Sequence, residues 1–265
     1  MQYIALHHKL MTTSVLHAEA GGGLSSAHQM PLAGSHAARA GSARRPHPAS
    51  SAINRKSPTL KLYYADHFVL PLPEGHRFPM EKYSRLRARL IDSGLFADDD
   101  FRVPVAASDV EILRAHDAGY LQRVAGGTLD AAEVRRIGFP WSAAMVERSR
   151  RSAGATLAAC RSALAREGGA ACAANLAGGT HPAHRDFGSG FCVFNDAAIA
   201  ALAMRAEGRA NRIAIVDCDV HQGDGTATIL AGVPEVFTCS LHGAKNFPFR
   251  KQASDLDVEL PDDTG

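Results

Sequence analysis

The sequence predicts an α/β fold built around a parallel sheet, and three observations carry that prediction. Short apolar runs alternate along the chain with longer stretches of helical periodicity. Two of those runs open directly into loops rich in glycine, histidine and aspartate, at 175–196 and 217–225. Strands alternating with helices argue for a parallel sheet, and such sheets carry their sites at the carboxyl ends of the strands.

The elements follow in chain order. Residues 60–64 read as a first strand, 79–93 as a helix and 109–124 as two short helices. The stretch 141–167 keeps apolar residues at helical spacing with polar ones between, the pattern of a long amphipathic helix. Residues 171–176 then read as a strand, 193–207 as a helix, 212–218 as a strand, 225–230 as a short helix and 236–241 as a strand. No window approaches the apolar length of a membrane span. The five cysteines lie in apolar runs without a Cys-x-x-Cys pair, so buried reduced thiols and a reducing, cytoplasmic compartment are expected.

Residues 1–57 differ from the rest. They carry six Lys or Arg against one acidic residue, whereas 58–265 carry 23 against 26, so a net charge of +2 hides a basic segment on a slightly acidic body. Without a sustained alternating or helical pattern, 1–57 is expected to be a disordered or spurious leader and 58–265 a single α/β domain. Abundant Arg, Ser and Ala with few acids also fit an organelle presequence. The charge of this segment does not by itself indicate nucleic acid as a partner.

The strongest chemical signal is Asp217-Cys-Asp-Val-His-Gln-Gly-Asp-Gly225, which follows the strand-like run Ile213-Ala-Ile-Val216. Residues two apart on an extended backbone point the same way, so Asp217, Asp219 and His221 project together from one strand end. Aspartate with histidine is ligand chemistry for zinc or a similar divalent ion. A calcium loop of EF-hand type is excluded, because its fifth, sixth and twelfth positions would be His221, Gln222 and Thr228. The second loop, Asn175 to Asp196, holds four glycines, His181, His184, Phe187 and Phe191. It lacks the Gly-Lys-Ser/Thr of a phosphate loop.

Gly188-Ser-Gly-Phe-Cys-Val-Phe-Asn-Asp196 followed by Asp217-Cys-Asp-Val-His-Gln-Gly-Asp-Gly225 closely resembles the histone deacetylase family, including acetylpolyamine amidohydrolases and bacterial deacetylase-like hydrolases. Weaker matches at 76–83, 116–121, 138–141 and 240–242 extend the resemblance over about 58–265, and Gln222 suggests the branch of class IV-like and bacterial enzymes. The resemblance implies the arginase/deacetylase fold, incomplete at its C-terminal end. It also implies a zinc-dependent hydrolase that removes acyl groups from lysine or a related amine. Asp219 and His221 match two of three zinc ligands. His181 matches the first histidine of a catalytic pair, Asp217 its orienting partner, and Asp224 the aspartate that supports the second histidine. Gly190 and Phe191 match the acyl-lysine tunnel. Asp217, Asp219, His221, Ser240 and Leu241 match positions that hold a structural potassium ion.

Two departures bear on activity. Pro182 stands where the family has its second histidine, the residue usually assigned as general base. The third zinc ligand and the oxyanion-stabilising tyrosine have no counterpart up to Gly265, where Asp255, Asp257, Asp262 and Asp263 are the remaining aspartates. The expectation is a truncated, fragmentary or degenerate member with impaired activity; a non-catalytic, binding-only remnant is the alternative.

Overall fold

The computed structural model describes residues 2–9, 13–20 and 59–264. An eight-stranded sheet is flanked by helices. Its strands are β1 (Gln2–Lys9), β2 (Thr13–Ala20), β3 (Thr59–Tyr63), β4 (Phe101–Arg102), β5 (Gly169–Asn175), β6 (Arg212–Cys218), β7 (Val236–Gly243) and β8 (Leu256–Leu260). Across the sheet they run β4-β3-β5-β2-β1-β6-β7-β8. All neighbours are parallel except β1 with β2 and β2 with β5.

The helices are α1 (Lys82–Asp92), α2 (Asp109–Ile112), α3 (Ala118–Gly126), α4 (Ala131–Ile137), α5 (Ala143–Ala165), α6 (Asp196–Ala206) and α7 (Asp224–Leu230). Their starts follow capping chemistry. The Asp130 carboxylate accepts the Ala132 and Glu133 amides at the head of α4, and Ser142 accepts the Met145 amide at the head of α5. Asn195 caps α6 in the same way through the Ala198 amide, so that helix begins three residues later than the apolar pattern suggested. Among the described residues, no helix is long and apolar enough to cross a membrane.

Strand alternation covers both faces of the sheet. On β3 and β5, Tyr63 and Ala173 enter the main core with α5 and α6 residues, while Leu62 and Ala174 pack with Leu86 and Leu90 of α1. Burial on both faces is the normal condition of parallel strands. It explains why β5, Gly-Ala-Ala-Cys-Ala-Ala-Asn, reads as a small-residue run and not as an alternation.

The structure departs from the sequence reading in two places. Gln2–Lys9 and Thr13–Ala20 lie within the expected disordered leader, yet they form a hairpin between β5 and β6. Strand pairing uses backbone groups that every non-proline residue carries, so it leaves little compositional trace. Residues 21–58 of that leader lie outside the described residues. The polar tail also yields a strand, β8, because Asp255 accepts the Thr238 amide and hydroxyl at 2.7 and 2.9 Å and docks the chain beside β7.

Candidate active site

The two motif loops leave the carboxyl ends of β5 and β6 and meet. Asp217 ends its side chain 2.7 Å from His181 Nδ1. Its other oxygen accepts the Asp219 backbone amide at 3.0 Å, which fixes the carboxylate's orientation. Asp219 Oδ1 in turn accepts the His221 amide at 2.8 Å and lies 2.9 Å from His221 Nδ1. His181 Nε2 is 3.8 Å from that same oxygen. Thus His181, Asp217, Asp219 and His221 form one continuous polar cluster.

Close packing demands glycine beside it. A Cβ on Gly223 would strike the Asp217 carboxylate and come within 3.3 Å of His181 Nδ1. The second glycine of the motif, Gly225, sits against the Ala183 and His181 carbonyls with no room for a side chain. Both glycines serve backbone approach to the site and not merely a turn.

Electrostatics follow from this geometry. Burial alone would lower the His181 pKa, but the Asp217 carboxylate outweighs it and raises the ring to about 9. Burial works to raise Asp219, yet the hydrogen bond from His221 and the charge of His181 hold it well below the usual carboxylate range. The cluster therefore favours an imidazolium between ionised carboxylates in the metal-free protein.

Asp224 does not meet residue 182. It lies 3.1 Å from His184 Nε2, while His184 Nδ1 meets the Thr228 hydroxyl at 2.9 Å and the ring stacks on Phe187. His184 is thereby committed on both ring nitrogens. The cavity beside His181 is lined by Pro182, not by His184.

That cavity has a volume of ≈ 690 Å³, within the usual range of small-ligand sites. His181, Asp219, His221, Gly190, Phe191 and Phe247 all face it. Phe191 adopts φ 66°, a left-handed conformation that costs a β-carbon residue on the order of 1 kcal/mol or more. Hydrogen bonds from the Phe191 amide to Ile137 O at 2.7 Å and from the Gly190 amide to Arg136 O at 3.1 Å hold the strained turn. The ring then packs against Phe78 and Phe139, with centroids 5.1 and 5.2 Å away.

His221 Nδ1 and Asp219 Oδ1 stand close to the separation of about 3.3 Å that two ligands of a tetrahedral zinc would have. Among the described residues, no group of three or more His, Cys, Asp or Glu side chains is placed to hold a metal ion; catalytic zinc takes three protein ligands. Two of the remaining tail aspartates are engaged elsewhere: Asp257 with Gln222 and the Ser254 amide, Asp262 with Lys245. Ser240, opposite Asp217 in the β6–β7 register, bonds His242 Nδ1 at 3.0 Å, and Leu241 follows it on β7.

Several supporting residues escaped the sequence reading. Asn195 Nδ2 donates to the His181 and Ala183 carbonyls, both at 3.0 Å, and so ties the His181 turn to the head of α6. Fully buried Asp196 accepts the Gly179 and Thr180 amides and the Thr156 hydroxyl. His116 Nε2 accepts the Asn195 amide at 2.9 Å. An Asn-Asp pair at a helix start is a capping signal, and that signal alone marks these two residues in the sequence.

A model of the histone deacetylase domain matches residues 76–260. An uncharacterized protein of Picosynechococcus is 45% identical over 201 residues, covering 76% of this chain and 65% of its own length. The histone deacetylase-like amidohydrolase of Pseudomonas aeruginosa is 35% identical, covering 67% of this chain and 47% of that protein. The chain thus spans about half to two thirds of the length of these relatives. Among solved structures, a deacetylase homolog from Aquifex aeolicus superposes with a TM-score of 0.61 at 22% identity, over 77% of this chain and 59% of that one. With the domain match spanning most of its length, this chain belongs to the histone deacetylase family.

Proposed function

We propose that the cavity is the acyl-binding site of a hydrolase that cleaves amides of lysine or a related amine, with zinc as the implied metal and an impaired activity in this chain. The observation that carries the reading is the His181–Asp217 pair set beside Asp219 and His221 at the floor of one cavity. Asp217 holds Nδ1 of His181, which leaves Nε2 on the Asp219 side to carry and move a proton. Phe191 and Phe247 supply apolar walls for an acyl chain and exclude water from it. Zinc, when bound, would polarise the amide carbonyl and acidify water; Asp219 and His221 are the residues that would hold it, together with a donor beyond these two. Potassium beside Asp217 and Ser240 remains part of the same reading.

Pro182 supports the impairment. It fills the place of a titratable group, and general acid–base catalysis contributes about 10²–10⁴-fold. His184 cannot stand in, since Asp224 and Thr228 hold it outside the cavity lining. Pro182 is also the observation that favours a binding-only remnant as the second reading.

The test is hydrolysis of acylated-lysine peptides by the 265-residue chain with zinc supplied. Expected is turnover near the detection limit, zinc-dependent where seen, lost in Asp219→Ala and not restored by Pro182→His alone. Hydrolysis that survives both Asp219→Ala and His181→Ala would place the chemistry elsewhere. Fast, zinc-dependent turnover of the unaltered chain would overturn the impairment.

A further inference from the structure

The same cavity holds a buried positive charge that the proposed chemistry does not use. Arg148, on α5, is only 7% exposed and lines the cavity. No salt bridge joins it to a described carboxylate. Its guanidinium lies over the Tyr83 ring, 4.7 Å from the centroid. The nearby Asp196 carboxylate is consumed by the Gly179 and Thr180 amides and the Thr156 hydroxyl.

Lys82, half-buried, faces the same space with its ammonium 4.6 Å from the Phe78 centroid and 5.0 Å from that of Tyr83. Two cations thus share a largely desolvated pocket, and each repels the other. Burial first and the Arg148 charge second lower the Lys82 pKa, against a smaller opposing pull from the Asp219 carboxylate on the same cavity. Burying an arginine without a counter-ion is costly, and the usual resolution is a paired anion. Exposed Arg77 and Arg136 at the cavity's outer rim add an attractive field for an anionic substrate.

We propose that Arg148 and Lys82 form a carboxylate subsite in the cavity, and that it takes the distal carboxylate of a dicarboxylic acyl group such as succinyl-lysine. This inference rests on the acyl-hydrolase reading of the cavity. Arg148 supplies a planar fork of donors for a carboxylate, Lys82 a second charge, and the Tyr83 hydroxyl a neutral donor. Hydrolysis would add water across the amide, hydroxyl to the acyl carbon and proton to the amine nitrogen. The product would carry two carboxylates, and one of them would already sit in the subsite. A neutral acetyl group would leave Arg148 without a carboxylate partner.

Calorimetric binding to the full chain tests this with four probes: succinyl-lysine peptide, the matched acetyl-lysine peptide, free succinate and free acetate. The expected result is a succinyl preference of about tenfold or more over acetyl, the scale of one charge-assisted contact. In Lys82→Gln and in Arg148→Gln the ratio should collapse towards one. Lys82 is half-exposed, so its variant keeps the test valid where Arg148→Gln fails to fold. Equal binding of the two peptides, or a preference that both substitutions leave intact, overturns the subsite. Equal, Arg148-dependent binding of free acetate and succinate would assign the cations to a product carboxylate and overturn the acyl assignment. The two readings also separate: succinyl preference with hydrolysis that survives both Asp219→Ala and His181→Ala sinks the hydrolase reading alone, and hydrolysis of acetyl-lysine without that preference sinks the subsite alone.

Discussion

His181 and His116 are both almost wholly buried imidazoles, 6% and 2% exposed, and their surroundings push their pKa values in opposite directions. Burial pushes each toward the neutral form. At His181 the Asp217 carboxylate reverses that push and raises the pKa to about 9. At His116 nothing reverses it: burial takes the ring down to about 4, and its Nε2 accepts the Asn195 amide, a role a protonated nitrogen cannot fill. His116 therefore holds the scaffold as a neutral acceptor, while His181 sits in the cavity as a cation poised to give up a proton. The partner, not the depth, decides which histidine is held protonated.

The largest expected effect comes from removing that partner. Asp217→Ala strands a buried imidazolium and should cost about 3–5 kcal/mol near pH 6, read by urea unfolding. It should also drop the His181 pKa below that of a free imidazole in a ring-resolved NMR titration. A loss under about 1 kcal/mol with the ring unshifted would erase the contrast between the two histidines.

Next in size is a two-sided pH dependence in the metal-free protein. His181 has a folded pKa raised above its unfolded 6.5, so its contribution is full below pH 6.5 and is lost as pH rises toward 9. His116 has a folded pKa lowered to about 4, so its contribution is present above pH 6.5 and is lost as pH falls toward 4. Each limb amounts to roughly 3 kcal/mol. Comparing stability against pH in the wild type, Asp217→Ala and His116→Phe separates them. The first variant should flatten the alkaline limb and the second the acid limb; a variant that flattens the opposite limb would break the assignment. His116→Phe should in addition cost about 1–3 kcal/mol at all pH values, because the Asn195 amide loses its acceptor.

Gly223→Ala should cost about 1–3 kcal/mol, since the new methyl group displaces the Asp217 carboxylate from His181. Gly126→Ala provides the smallest effect and the control: nothing lies within 4 Å of its added Cβ, and a helical alanine should be neutral or stabilising by about 0.5–1 kcal/mol. Equal losses at the two glycines, by thermal unfolding, would mean that crowding at Gly223 is not what the site depends on.

These contrasts also show what the sequence could and could not reveal. Asp217, Asp219 and His221 were legible as a cluster from one short motif, but β6 ends at Cys218, and it is the turn in which Asp219 accepts the His221 amide that brings the last two together. His181 was legible through the motif resemblance, and its partner followed from it. Arg148 and Lys82 were not, because each looks like an ordinary charge on a helix until the fold turns it into the cavity. His116 and Asn195 lie 79 residues apart, and their bond exists only once the head of α6 is brought beside His116. The hairpin of β1 and β2 was hidden for a different reason: backbone pairing constrains composition weakly. Asp224 was found but given the wrong neighbour, since Pro182 has nothing to offer it and His184 does.

The account stands most directly on the proposal that Asp219 and His221 hold a metal beside His181. Calorimetric zinc titration of the purified chain, against His221→Ala, measures this. The account predicts weak or substoichiometric zinc binding that His221→Ala abolishes, because two protein donors must be completed by water or another group. Tight one-to-one zinc binding that persists unchanged in His221→Ala would contradict it.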